Sequence, residues 1–294
     1  MKKLTITTIA ALSAAILLSS CSANKVEHVF LIGLDGMSSA GFVKADMPEL
    51  KSLMDDGMYT TKKRSVLPSS SAINWASMFM GAPTEIHGYT TWGSKTPELP
   101  SRVIGDNGIF PTIFQLTRQK YPSSEIGVIY DWDGIKYLVD TLSINYHAQT
   151  PSAEPENMAS MASEYILDKK PKLAAFIFDN PDHVGHTIGW ETDEYEAMLH
   201  RLDACVKEIV DAIDEAGIRD KSIIIVTADH GGIGTGHGSI SLNEMETPFI
   251  MAGPGIPCNI CLDDQSMMQY DIASTIAKLL DIEQPQVWTG RPVF

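Results

Sequence analysis

Ser222–Gly238 reads SIIIVTADHGGIGTGHG, and the fold follows from it. Ile223, Ile224, Ile225, Val226 and Thr227 are all β-branched, which suits a strand. A near-continuous apolar run of this kind fits a central strand covered on both faces. It stops at Asp229-His230-Gly231-Gly232, and His237 follows seven residues after His230. One strand end and its glycine-rich loop therefore carry a carboxylate and two imidazoles. In open α/β sheets, ligands sit just beyond the carboxyl ends of strands. Asp and His there are suitable ligands for zinc or a similar divalent metal. A polar loop with two incidental histidines is the alternative.

Working outward, the same pattern recurs. His28–Leu34 reads as a strand that ends in Asp35-Gly36. Leu173–Phe178 (LAAFIF) is another buried-type strand, followed by Asp179-Asn180-Pro181-Asp182-His183-Val184-Gly185-His186. Helical patterns lie between the strands. Met47–Asp56 has Pro48 in its first turn, Phe110–Lys120 and Pro151–Asp168 follow, and Gln269–Leu280 closes the series. Thr192–Gly217 is the longest, with Met198, Leu202, Cys205, Val206, Ile209, Val210 and Ile213 in one apolar stripe. Its N-terminal acids complement the helix dipole. Glu125–Tyr130 and Thr247–Ala252 read as further strands. Strands alternating with helices predict an α/β fold: a doubly wound, mostly parallel sheet with helices on both faces. Tyr59–Leu67 also reads as a strand, and Lys62, Lys63 and Arg64 are expected on a solvated edge.

Pro68-Ser69-Ser70-Ser71-Ala72-Ile73-Asn74-Trp75 opens a helix that runs to Gly81. A serine there meets the positive end of the helix dipole, a suitable place for a nucleophile approaching phosphate. The plain alternative is a serine N-cap. The candidate groups are then Asp35, Ser71, Asp182, His186, Asp229, His230 and His237. Three Asp and three His can complete two tetrahedral metal sites if a hydroxyl and substrate or water fill the remaining positions. Two metals about 3.5–4 Å apart form the usual clamp for in-line displacement at phosphorus.

Composition sets the limits. The chain of 294 residues carries a formal charge of −15. Met1–Ser20, with Lys2-Lys3 and an apolar run over Ile6–Leu18, reads as an export signal. Without those two lysines the charge is about −17. That balance argues against binding nucleic acid polymers, which needs a basic surface. A small phosphate substrate remains compatible, because bound metals reverse the local field. The signal is too short and wrongly flanked for a stable span. Leu18-Ser19-Ser20-Cys21 resembles a bacterial lipoprotein cleavage box, making Cys21 the expected lipidated residue, residues 21–25 a tether, and residues 26–294 a single catalytic domain. Ser22 resembles the outer-membrane pattern, so the expected location is the cell envelope, held to a membrane by lipid only. Cys258-Asn259-Ile260-Cys261 suits a short disulfide in an oxidising compartment, and Cys205 a buried residue.

The order of these motifs resembles the alkaline phosphatase superfamily. Asp35-Gly36 comes first, then Ser71 three residues before Asn74-Trp75, then Gly81–Gly88 as G-x-P-x-E-x-H-G. Pro181–His186 follows as P-D-x-x-G-H, then Ala228–Gly232 as A-D-H-G-G and Gly236–Gly238 as G-H-G. The resemblance runs from Val26 to about Trp288, and it is closest to the nucleotide pyrophosphatase/phosphodiesterase branch. It implies one metal on Asp182, His186 and His237, and another on Asp35, Asp229, His230 and the Ser71 oxygen. It implies two divalent ions, zinc first, with Ser71 as nucleophile and Asn74 donating to a phosphate oxygen. The implied reaction is hydrolysis of a phosphodiester or nucleotide pyrophosphate through a phosphoseryl intermediate. A phosphomonoesterase on the same site and a non-catalytic metal-binding lipoprotein are the alternatives. The phosphodiesterase branch commonly carries Thr where Ser71 stands, whereas Ser serves in the alkaline phosphatases proper. Sulfatases share the fold, but Ser70-Ser71-Ala72-Ile73-Asn74 lacks their Ser-Arg pair. His87 and His183 are expected in turn and outward-facing roles. Tyr89, Trp92, Trp132 and Trp190 either stack on a base or aryl leaving group or pack internally, and packing is the expectation.

Overall fold

The computed structural model describes residues 26–151 and 154–294; the expected export signal and the expected lipidation site Cys21 lie outside them. The chain runs β1 (His28–Leu34), α1 (Ser39–Lys44), α2 (Pro48–Asp55), β2 (Gly57–Arg64), α3 (Ser71–Met80), α4 (Thr84–His87) and α5 (Ile113–Lys120). It continues through β3 (Ile126–Tyr130), β4 (Tyr146–Gln149), α6 (Pro155–Lys169), β5 (Leu173–Phe178), α7 (Asp182–Thr187) and α8 (Asp193–Glu215). It ends with β6 (Ser222–Thr227), α9 (Leu242–Met245), β7 (Glu246–Ala252), β8 (Ile260–Cys261) and α10 (Asp271–Leu279). Short 3₁₀ turns cover Asp133–Tyr137 and Arg219–Lys221.

The eight strands form one sheet in the order β4-β3-β5-β1-β6-β7-β2-β8. The block from β4 to β6 is parallel throughout, and β7 runs antiparallel to both β6 and β2. β5, β1 and β6 are interior strands of the sheet, and their residues are buried almost without exception. Burial on both faces is why they read as unbroken apolar runs. Alternate side chains of β1 serve two separate cores. Val29 and Leu31 pack with α3, α5 and α10, while Phe30, Ile32 and Leu34 pack with α2, α6 and α8. The doubly wound arrangement expected from sequence is therefore present.

Several features differ from expectation; the helix expected from Pro151 begins at Pro155, and the strand expected to reach Leu67 ends at Arg64. The helix expected from Phe110 begins at Ile113, because Pro111 and the Thr112 cap, which accepts from Gln115 N–H, set its start. The segment Lys62–Arg64 is not a solvated edge. β2 carries a bulge against β7 between Thr60 and Lys63, which turns Lys63 inward to zero exposure while Lys62 stays outside. Cys258 and Cys261 are exposed free thiols with no disulfide between them, and Cys205 is buried as expected.

The parallel block brings three strand ends to one edge. Asp35 follows β1, Asp229 follows β6 after Ala228, and Asp182 follows β5 after one turn. Two glycines allow the close fit. Gly33 leaves room for the Trp75 indole, which a Cβ would meet at 2.3 Å. Gly36, at φ +73°, lies where a Cβ would come within 2.7 Å of the Asp182 Cβ.

Candidate active site

Ser71 is the first residue of α3, fully inside the fold, and Ser70 occupies the N-cap position. The Ser71 hydroxyl donates to His230 Nε2 at 3.1 Å. Ser69 Oγ is instead committed to the Ser239 carbonyl, and Ser70 Oγ lies 3.5 Å from His237 Nδ1. The geometry thus singles out Ser71 among the three serines.

The His230 Nδ1–H donates to the Gly231 carbonyl at 2.8 Å, so Nε2 presents a lone pair. Asp35 Oδ1 lies 3.4 Å and Asp229 Oδ2 3.3 Å from that nitrogen. Each carboxylate is held by its other oxygen. Trp75 Nε1–H donates to Asp35 Oδ2 at 2.8 Å, and Gly36 N–H donates to Asp229 Oδ1 at 3.2 Å. The inward atoms Asp35 Oδ1, Asp229 Oδ2 and Asp182 Oδ1 are buried and lack a hydrogen-bond partner. Buried carboxylate oxygens left unpaired are costly, and ligation of a cation is the usual compensation.

A second cluster adjoins the first. His186 Nε2 lies 3.4 Å from Asp182 Oδ2, and His237 Nε2 lies 3.6 Å from Asp182 Oδ1. The outer nitrogens donate to carbonyls, His186 Nδ1–H to Thr235 and His237 Nδ1–H to Ser69. Such carbonyl partners fix the tautomer that metal-ligating histidines need. Asp182, His186 and His237 bring their ligand atoms within 4.8 Å of one another, as do Asp35, Asp182 and His230. Asp182 therefore belongs to both clusters, and Asp229 supports the one that contains Asp35 and His230. All seven residues singled out in the sequence as nucleophile or ligands converge here. The oxygen and imidazole donor set fits two zinc-like cations.

Burial governs the electrostatics. It raises the Asp35 and Asp182 carboxyls well above their usual range, reinforced by repulsion from Asp229. Asp229 is pushed up to about 6, also by burial. Burial lowers His230 to about 3, and lowers His237 to about 4 with help from His230. His230 and His237 are thus neutral donors at neutral pH.

Asn74 occupies a different place from the one expected. It is fully buried; its Oδ1 accepts from Val66 N–H at 2.8 Å. Its amide nitrogen lies 3.0–3.3 Å from the carbonyls of Ser70, Pro68 and Val66. The side chain holds the loop that delivers Ser71, rather than pointing at the cleft. His87, as expected, has a structural role: its Nδ1 accepts from Tyr89 N–H, so Nε2–H donates to Ser77 Oγ and cannot act as a base on it. His183 is exposed.

A cleft of about 480 Å³ opens over Ser71, lined by Ser70, Trp92, Trp132, Asp179, Asp182, His186 and His237. No lysine or arginine lines it among the described residues. Of the four aromatics, Tyr89 and Trp190 are buried as expected, but Trp92 is 67% exposed on the cleft wall. The Trp92 carbonyl accepts from Ala72 N–H, so the ring stands beside the nucleophile. Glu98 braces that loop by accepting from Thr90 N–H and from the Thr90, Thr91 and Ser94 hydroxyls. Packing is the expectation for Trp92 and Trp132, yet both line the cleft; Asp179 was not assigned to the site from sequence, and only its neighbourhood to Asp182 could have suggested it.

The parallel sheet thus delivers a hydroxyl and paired Asp/His clusters to one cleft. The family model described as type I phosphodiesterase / nucleotide pyrophosphatase matches residues 29–248, and the chain belongs to that family. Murine ectonucleotide pyrophosphatase/phosphodiesterase 5, solved as an inactive form with AMP, superposes with a TM-score of 0.73 at 15% identity, over 88% of this chain and 96% of that one. A phosphonate monoester hydrolase from Silicibacter pomeroyi gives 0.70 at 15% identity, over 91% and 76%. Both likenesses concern the fold. A 2,3-bisphosphoglycerate-independent phosphoglycerate mutase of Syntrophotalea carbinolica is 31% identical over 156 residues, 49% of this chain and 28% of the mutase. The chain spans under a third of the length of that relative.

Proposed function

We propose that the protein hydrolyses phosphodiester or nucleotide pyrophosphate bonds through a phosphoseryl intermediate on Ser71. The supporting observation is the 3.1 Å contact of Ser71 Oγ with the buried His230 Nε2, beside a cleft that no lysine or arginine among the described residues lines. A monoester brings a second negative charge, and a cleft without lysine or arginine leaves it uncompensated, which favours diesters.

Asp182, His186 and His237 would hold one divalent cation, and Asp35, Asp229, His230 and Ser71 the other, with zinc as the proposed metal. Bound there, the cations supply charge for the developing oxyanions and acidify the serine hydroxyl. Ser71 gives up its proton, which ends on the departing oxygen, and the Ser71 oxygen attacks phosphorus in line with that oxygen. The bond from phosphorus to the leaving group breaks, and the Ser71 ester carries the remaining group. Water then cleaves the Ser71–phosphorus bond and the hydroxyl regains a proton. Trp92 and Trp132 offer flat faces to a base or aryl group. The proposed location is the bacterial envelope, with lipid on Cys21 as the attachment.

Ser71→Ala is the test. It is expected to abolish turnover of bis-p-nitrophenyl phosphate while zinc content and melting temperature stay near wild type. Turnover at the wild-type rate would overturn the assignment. The non-catalytic alternative predicts no turnover in either protein.

A further inference from the structure

Lys63 is a cation the proposed chemistry does not use. It is fully buried, on the strand that enters the active-site loop. Its neighbours have ordinary partners: Lys62 pairs with Asp263 and Arg64 with Glu246. Among the described residues, Lys63 is in contact with no carboxylate. Its Nζ donates to the Ala228 carbonyl at 2.8 Å and to Gln269 Oε1. Gln269 Nε2–H donates to the same carbonyl at 3.3 Å, and the Gln269 N–H bonds back to the Arg64 carbonyl.

Two residues further along, the Ser65 hydroxyl donates to the Asp229 carbonyl at 2.7 Å. Lys63 and Ser65 thus take hold of successive carbonyls, Ala228 and Asp229, at the point where β6 ends and the ligands begin. The inward turn of Lys63 depends on the β2 bulge. Burying an ammonium without a counter-charge is costly, and an apolar side chain of similar length would fill the space without that cost. Burial pushes the amine down to about 7, opposed by the charges of Asp229 and Asp271. A group kept at such a cost beside a ligand strand is a candidate for fixing ligand geometry.

We propose that Lys63 is a positioning residue, whose ammonium group clamps the Ala228–Asp229 backbone so that Asp229 and His230 present a preorganised cation site. This rests on the metal-binding part of the proposed function. It assigns the strength of one of the two sites to a residue that touches neither metal nor substrate. Removing partners that orient ligands typically weakens metal binding by about 10–100-fold.

The experiment is zinc titration of metal-free wild type, Lys63→Met and Ser65→Ala, with the melting temperature of each metal-free protein. Wild type is expected to bind two zinc ions; binding none would overturn the metal reading itself, and this inference with it. In Lys63→Met the site containing Asp35, Asp229 and His230 is expected to weaken by about tenfold or more. The Asp182, His186 and His237 site should change by less than about threefold, and the metal-free protein should melt no lower than wild type. A filler role predicts the converse, a lower melting temperature with both affinities intact, and that result would overturn the proposal. So would tighter binding, which would mean that charge repulsion dominates. If Lys63→Met does not fold, Ser65→Ala decides: weakening of the same site supports the clamp, and unchanged affinity overturns it.

Discussion

His186 Nε2 and His237 Nε2 face each other at 3.0 Å, each with its other ring nitrogen already donating to a backbone carbonyl. Two lone pairs at that separation repel unless a cation lies between or beside them. With Asp182 bridging toward Asp35 and His230, the five groups form one continuous bed for two cations.

Removing one ligand should therefore empty one site before the other. His237→Ala is expected to retain about one zinc equivalent, and Asp35→Ala to lose the other, each with loss of activity of at least about 100-fold. Elemental analysis of purified protein with parallel rate measurements checks this. Two full equivalents in both variants would exclude these residues as ligands.

Metal uptake should release protons and strengthen as pH rises. Asp229 is pushed up to about 6 by burial, and Asp35 and Asp182 stand well above the usual carboxylate range. These groups hold protons at low pH and must lose them to ligate. His230 at about 3 and His237 at about 4 are neutral above pH 5 and offer no competition there. Zinc affinity should thus rise between pH 5 and 8, by about tenfold per pH unit for each proton displaced. Calorimetry in buffers of different ionisation enthalpy reads the released protons; a flat profile would contradict the reading.

Asn74→Ala should lower stability and rate together. It takes the side-chain partner from the Val66 N–H and the Val66 carbonyl, and a second donor from the Pro68 and Ser70 carbonyls, which keep the Ser70 and Asn74 N–H groups. The expected loss is about 2–4 kcal/mol, or several degrees in melting temperature. The rate should fall because Ser71 is no longer held in place. A slow variant of unchanged melting temperature would instead restore a direct phosphate contact.

The candidate Asp and His ligands were legible because they follow strands whose apolar runs end abruptly, as in IIIVT before Ala228-Asp229-His230. Burial on both faces of β1, β5 and β6 made those runs unmistakable. Lys63 was misread because a bulge shifts the alternation by one residue, and no composition signal marks a bulge. Asn74 was placed by its spacing from Ser71, but an amide binds whatever its loop presents, and that loop folds back onto it. The edge strands β4 and β8 escaped notice because they are short and largely exposed.

The central claim is that this site prefers singly charged phosphate esters, and the most direct test is kcat/KM of the zinc-loaded protein on bis-p-nitrophenyl phosphate against p-nitrophenyl phosphate. The cleft, which no lysine or arginine among the described residues lines, predicts a ratio favouring the diester by at least about tenfold. A ratio favouring the monoester would contradict the account and place the protein with the phosphomonoesterases.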